Sequence, residues 1–191
     1  MNTLVVDLSA NTSYQKLWED TLDIISTSTD KLKANYLGLD PSKFESFPVV
    51  IIDNQIVCFS GLQMEDRWGL KIARCSTRMW IHPNYRHSGK FTSGSKFLNT
   101  SFCLPLQFAK AKLLNLDCLF ISRESTPSAF GEYIKLVKRN TGQEFTILPD
   151  MINVCGITPV PDTCKQWVAV SLLNDQSAST WTSQMSQFIC N

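Results

Sequence analysis

Hydrophobic positions change period several times along the chain, and each change marks an element. Thr3 to Leu8 forms a short strand pattern, and Asn11-Thr12-Ser13 then offers helix N-caps. Tyr14, Leu17, Trp18, Leu22 and Ile25 recur at helical spacing, which predicts a helix that buries one face. Asp30 to Leu37 predicts a second, short helix that stops at Gly38, ahead of Asp40-Pro41. Pro48 to Asp53 is rich in Val and Ile, Asp53-Asn54 is a tight-turn pair, and Ile56 to Leu62 returns as the second arm of a hairpin. Met64 to Gly69 reads as a polar connection.

Leu70 to His82 is the next strand, and its alternation slips. Leu70 and Ile72 are apolar at even positions, whereas Ala73, Cys75, Met79 and Ile81 are apolar at odd ones. A β-bulge produces such a change of phase; the alternative is a strand that starts only at Ala73. After the strand end at Trp80-Ile81-His82-Pro83 come a short polar turn and a Ser, Gly and Lys cluster, which opens a long apolar segment. A strand, loop and helix N-terminus in that order gather backbone N–H groups and the positive end of a helix dipole, a combination suited to a phosphate or pyrophosphate. Ser95 to Leu114 is apolar enough for a core helix, with a break or kink expected at Pro105.

Asp117 to Arg123 is a buried-strand run, and Ser125-Thr126-Pro127 starts a helix that sets Phe130, Ile134 and Val137 on one face. Asn140 and Gly142 close that helix. Glu144 to Leu148 and Gln166 to Leu173 are the last strands, joined by a loop holding Pro149, Pro159 and Pro161. This order predicts a mixed sheet, antiparallel at the hairpin and parallel where a helix intervenes. Residues 175–191 form a Ser-, Thr- and Gln-rich tail in which Trp181, Met185, Phe188 and Ile189 fall on one helical face, suited to docking on the domain or on a partner.

With 191 residues, 43% of them hydrophobic, the chain can bury one sizeable core, so a single domain is expected. No run approaches the roughly 20 apolar residues of a membrane span, and Met1 to Ser13 lacks the basic start and apolar core of a signal peptide. A soluble, cytoplasmic protein without a membrane partner is the expectation. Seven cysteines, an odd number with no C-x-x-C pair, read as small buried hydrophobes in a reducing compartment, and only two histidines argue further against a metal site. Charge changes the picture more. Between Asp66 and Asp117 there is no acidic residue, while Arg67, Lys71, Arg74, Arg78, Arg86, Lys90, Lys96, Lys110 and Lys112 are all positive; the rest of the chain carries a net charge of −8. If these side chains share a direction they favour an anionic ligand; if they point apart they only solvate the surface.

Ile81-His82-Pro83-Asn84-Tyr85-Arg86-His87-Ser88-Gly89-Lys90-Phe91 resembles the acyl-CoA loop of the GCN5-related N-acetyltransferase (GNAT) superfamily, hydrophobic-x-Pro-x-x-Arg/Gln-x-x-Gly-x-Gly/Ala. Phe91 stands where that pattern has a small residue. A second motif, Thr126-x-x-Ala129-x-x-x-Tyr133-x-Lys135, is similar to the family's Asn-x-x-Ala-x-x-x-Tyr-x-Lys, with Thr126 in place of Asn and Val137-Lys138 where Gly-Phe would stand. The resemblance implies an α/β (α+β) fold with a GNAT-like mixed, mostly antiparallel central sheet flanked by helices, an acyl-CoA-binding domain over residues 1–174. It also implies acetyl-CoA or another acyl-CoA as cofactor and an amine as acyl acceptor. Backbone groups from Arg86 through His87, Ser88, Gly89 and Lys90 to Phe91 would cradle the pyrophosphate, with charge from Lys90 or Arg86. The strand backbone near Met79 and Ile81 would pair with the pantetheine amides, Thr126 would join the cofactor-binding positions, and Tyr133 would protonate the departing thiolate.

The general base is missing from this pattern. Leu70 to His82 has no carboxylate; Glu65 and Asp66 precede it, and Cys75 and His82 lie on it. Two function classes follow. One is an acyl-CoA-dependent N-acyltransferase, favoured by the intact Pro-x-x-Arg-x-x-Gly core, the basic bias and Tyr133. The other is a catalytically silent GNAT-fold binding or assembly module that meets a protein partner or itself through residues 175–191, favoured by Phe91, the absent carboxylate and the drifted second motif. Nucleic-acid binding ranks last, because the basic region lacks interleaved exposed aromatics and any recognisable reading motif.

Overall fold

The hairpin supplies the centre of the fold. In the computed structural model, which describes residues 2–29, 33–67, 70–86, 96–148 and 165–173, strands β1 (Thr3–Asp7), β2 (Pro48–Ile52) and β3 (Gln55–Arg67) pair antiparallel in sequence. Asp53 and Asn54 turn the chain between β2 and β3 with φ of 48° and 62°, the left-handed pair that a two-residue hairpin loop requires. β3 does not stop at Leu62 but runs on to Arg67, so the expected polar connection is largely strand. All five residues of β2 are buried, because both of its faces are covered.

Alternate residues of β2 feed two cores. On one face Val49 and Ile51 join Phe47, Ile56, Phe59 and Trp80 against Trp18 and Ile25 of helix α1 (Gln15–Thr27) and Tyr36 of helix α2 (Ala34–Leu37). Trp18, Phe47, Phe59 and Trp80 meet as edge-on and stacked rings with centroids 5.1–5.4 Å apart, a geometry that adds to simple burial. On the other face Val50 and Ile52 pack with Val57, Cys58, Ile81, Leu98 and Cys103. The Asn11-Thr12-Ser13 signal falls just short of the helix, since Tyr14 occupies the cap position of α1 and Asn11 Oδ1 instead accepts from the Ser13 N–H at 2.9 Å. Asp30 to Leu32, the expected start of the second helix, lie outside the described residues.

Strand β4 (Leu70–Ile81) leads to a short helix α3 (Pro83–Arg86). Further on, α4 (Lys96–Leu98), a π-turn over Asn99–Cys103 and α5 (Leu104–Leu113) follow one another without a break. The helix therefore survives Pro105. A proline removes one N–H and collides with the carbonyl four residues earlier, and widening the preceding turn to i→i+5 pairing relieves both problems. Strand β5 (Cys118–Ser125) pairs parallel with β4 through Ile72, Ala73 and Arg74. Helix α6 (Pro127–Thr141) is capped by Thr126 and closed by Gly142 at φ 72°. Strands β6 (Thr146–Leu148) and β7 (Lys165–Leu172) complete a seven-stranded, mostly antiparallel sheet in the order β1-β2-β3-β4-β5-β7-β6. Although α6 separates β5 from β6, the two are not neighbours: β7 lies between them, antiparallel to both.

Contacts divide the chain into two compact units, Met1–Gln63 with Ser76–Lys110, and Met64–Cys75 with Ala111–Asn191. The first holds both cores just described. In the second, Phe130, Tyr133, Ile134 and Val137 form the buried face of α6, which packs on β5 and β7. No described helix is long and apolar enough to cross a membrane. Cys58, Cys75, Cys103 and Cys118 are buried and form no disulfide; the other three cysteines, the proline-bearing loop and the tail from 174 on lie outside the described residues.

Candidate functional site

The second half of β4 is the least regular backbone in the sheet. Its parallel ladder with β5 ends at Arg74, and β4 continues seven residues further, to Ile81. Within that extension Ser76 and Arg78 take φ of 57° and 51°. A left-handed residue other than glycine costs roughly 1–2 kcal/mol, so two within three positions must be held by their surroundings. The slip in alternation at Ile72/Ala73 is a different feature: both residues are buried and stay in register with Cys118 and Leu119, and the left-handed residues lie further on, at Ser76 and Arg78.

Buried side chains hold this kink. Gln107 Oε1 accepts from the Ser76 N–H at 2.8 Å, and Asn99 Nδ2 donates to Ser76 Oγ at 2.9 Å. Gln107 Nε2 donates to both the carbonyl and the hydroxyl oxygen of Ser60 at 2.9 Å, and Ser60 Oγ donates to Asn99 Oδ1 at 2.6 Å. Ser60, Asn99 and Gln107 are each 0% exposed. None was singled out from the sequence. The sequence shows Asn99 and Gln107 only as polar residues on either side of Pro105 in a largely apolar segment, and nothing links Ser60 to them.

Further along β4, Tyr36 Oη donates to the Met79 carbonyl at 3.2 Å, and Arg86 Nε donates to the Ile81 carbonyl at 2.8 Å. Met79 and Ile81 side chains pack toward the second core. Arg86 closes α3, five residues beyond the carbonyl it holds. His87, Ser88, Gly89, Lys90 and Phe91, the remainder of the expected pyrophosphate loop, lie outside the described residues.

Two of the basic residues on β4 have different surroundings. Arg74 pairs with Glu65 at 3.0 Å and lies over the Phe120 ring, while Arg78 is exposed. Of the groups considered as bases, Glu65, Cys75 and His82 are engaged, and the Asp66 side chain lies outside the described residues. Glu65 is tied to Arg74. Burial pushes the Cys75 thiol far above its ordinary range. His82 Nδ1 accepts the Asn84 N–H at 3.2 Å, Nε2 faces the Gln55 amide at 3.3 Å, and burial together with the Arg86 charge lowers its pKa. Among the described residues no group of three or more His, Cys, Asp or Glu could hold a metal.

In the second unit, Tyr133 is 1% exposed, with the Arg123 guanidinium 4.5 Å above its ring centre. Arg123 Nη1 is buried without a hydrogen-bond partner, so the ring face is its main compensation. Thr126 is exposed, and its Oγ1 accepts the Ala129 N–H at 3.4 Å as the cap of α6.

No family model matches the sequence, and no curated protein matches it. Solved structures do. A GNAT-family acetyltransferase from Streptococcus pneumoniae aligns with a TM-score of 0.58 at 12% identity, over 91% of this chain and 100% of its own. The fold is that of the GNAT acetyltransferases. The NatC complex bound to Gag peptide and CoA gives a TM-score of 0.56 at 12% identity, over 91% of this chain and 100% of the matched one. The ribosomal-protein-S18-alanine N-acetyltransferase from Escherichia coli gives 0.53 at 11% identity, over 91% and 95%. At these identities the GNAT likeness is one of backbone architecture.

Proposed function

We propose that the protein transfers an acyl group, acetyl in the first instance, from acyl-CoA to an amine. The observation that supports this most is a single stretch of a GNAT fold: a β4 that outruns its ladder, kinks at Ser76 and Arg78, and leads directly into Pro83-x-x-Arg86-x-x-Gly89. When bound, the coenzyme would supply a thioester carbonyl open to attack and a thiolate leaving group. The β4 backbone at Met79 and Ile81 would hold the pantetheine amides, in peptide planes oriented by Tyr36 and Arg86. Backbone N–H groups from Arg86 to Phe91 take the pyrophosphate, with Arg86 or Lys90 adding charge and Thr126 a further contact. Tyr133 would hold the phenolic proton that the departing sulfur takes up; a thiol near ~8.5 and a phenol near ~10 are close enough for that transfer.

With Glu65, Cys75 and His82 engaged, the acceptor amine would arrive neutral or lose its ammonium proton to water, and the N–H proton shed as the amide forms would return through water to the Tyr133 phenolate. The same shortage favours a second reading, a silent GNAT-fold module that binds a partner through residues 175–191. Release of free CoA thiol from acetyl-CoA, measured against small amines and peptide N-termini, separates the two. Turnover that falls at least about a hundred-fold in Tyr133→Phe, with CoA affinity unchanged, supports the enzyme. CoA binding without turnover on any amine supports the module.

A further inference from the structure

Ser60, Asn99 and Gln107 form a closed circuit whose polarity the backbone dictates. The Ser76 N–H can only donate and the Ser60 carbonyl can only accept, so Gln107 must turn Oε1 to the first and Nε2 to the second. Gln107 Nε2 also donates to Ser60 Oγ, which sends the Ser60 hydroxyl proton to Asn99 Oδ1. That in turn leaves Asn99 Nδ2 for Ser76 Oγ. The Ser76 hydroxyl then lies 3.9 Å from Met79 Sδ, carrying the circuit to the far side of the kink.

The π-turn makes the circuit possible. Positions eight apart on a plain α-helix, at roughly 100° per residue, diverge by about 80°. Widening the turn over Asn99–Cys103 absorbs about one residue, so Asn99 and Gln107 behave as positions seven apart and share a face. Pro105, the apparent helix breaker, sits where it favours the wider turn. The chain thus spends a rare helical turn and two left-handed residues on one local backbone shape.

We infer that Ser60, Asn99 and Gln107 are positioning residues that set the Ser76–Met79 backbone for the coenzyme, acting through β4 without touching the ligand. This inference rests on the acyl-CoA reading of β4 proposed above. The test uses the full chain and CoA itself as probe, with titration calorimetry, site-resolved amide hydrogen exchange and thermal unfolding on Gln107→Leu, Gln107→Glu and Ser60→Ala. Gln107→Leu should weaken CoA about ten-fold or more and speed exchange at residues 76–79, while exchange in β2 and α1 stays as in the wild type. Gln107→Glu keeps the acceptor for the Ser76 N–H and should recover part of both losses, an effect that bulk destabilisation would not give. Ser60→Ala, the milder change, carries the test if Gln107→Leu does not fold. Wild-type CoA affinity or unchanged exchange at 76–79 in these variants overturns the inference. Should the wild-type protein itself take no CoA, the enzyme reading fails, and exchange alone then decides whether the circuit sets this backbone.

Discussion

Glycine at Arg78 and glycine at Ser76 should move stability in opposite directions, although the two residues share nearly the same backbone conformation. Each now sits at φ between 50° and 60°. Relief of the left-handed strain is worth about 1–2 kcal/mol, and the extra freedom of glycine in the unfolded chain takes back about 0.5–1 kcal/mol. Arg78 is exposed, so Arg78→Gly should gain about 0.5–1 kcal/mol. For a chain of this size that raises the unfolding midpoint by about 1–4 °C. Ser76→Gly gains the same relief but deletes the hydroxyl that Nδ2 of the fully buried Asn99 reaches at 2.9 Å. Removing that acceptor costs about 1–3 kcal/mol, leaving a net loss of about 1 kcal/mol. Thermal and urea unfolding followed by circular dichroism measures both. A Ser76→Gly variant more stable than wild type, or an Arg78→Gly variant less stable, would refute the argument that the circuit, and not local preference, holds the kink.

Two further outcomes follow from the first unit. Asp7 accepts hydrogen bonds from Ser9 N and Oγ, Ser46 Oγ and Phe47 N; burial raises its pKa, but these bonds outweigh burial and hold it below the ordinary 3.8. Its stabilisation is therefore complete above that ordinary value and is lost as pH falls through the folded-state value. Asp7→Asn should cost about 1–2 kcal/mol in urea unfolding at pH 7, allowing for solvent screening of a half-exposed carboxylate, and less at pH 3; equal losses would contradict this. At Gly61 an added Cβ would come within 2.7 Å of Phe44 Cε1, so Gly61→Ala should cost about 1–3 kcal/mol. Pairing it with Phe44→Leu should recover part of that cost, and additive losses in the double-mutant cycle would count against the clash.

Features fixed by neighbouring residues were legible in the chain itself. Asp53-Asn54 announced the hairpin because two adjacent left-handed residues suit Asx chemistry, and Thr126-Pro127 with Gly142 bracketed α6 because cap chemistry is equally local. β4 was readable at both ends, but its phase slip at Ile72/Ala73 falls in regular ladder, and the left-handed residues Ser76 and Arg78 carry no such mark in the pattern. What the sequence hid was non-local. Ser60 meets Asn99 across 39 positions and Gln107 across 47, and no spacing rule links them. Pro105 pointed toward a break because its local effect is disruptive, whereas the π-turn absorbs it within a continuous helix. β7 entered between β5 and β6 because the edge of β5 was open to an antiparallel partner from a distant part of the chain. The Pro83-x-x-Arg86-x-x-Gly89 motif was visible, but the support that shapes the strand leading into it was not.

The most direct measurement is calorimetric titration of acetyl-CoA into the full-length protein beside Lys90→Glu, which reverses a charge in the loop without altering the buried circuit. Micromolar binding that disappears in Lys90→Glu is the predicted result and would tie the Pro83-to-Phe91 stretch to the pyrophosphate. No heat at millimolar acetyl-CoA would contradict the account, and so would equal affinity in the two proteins.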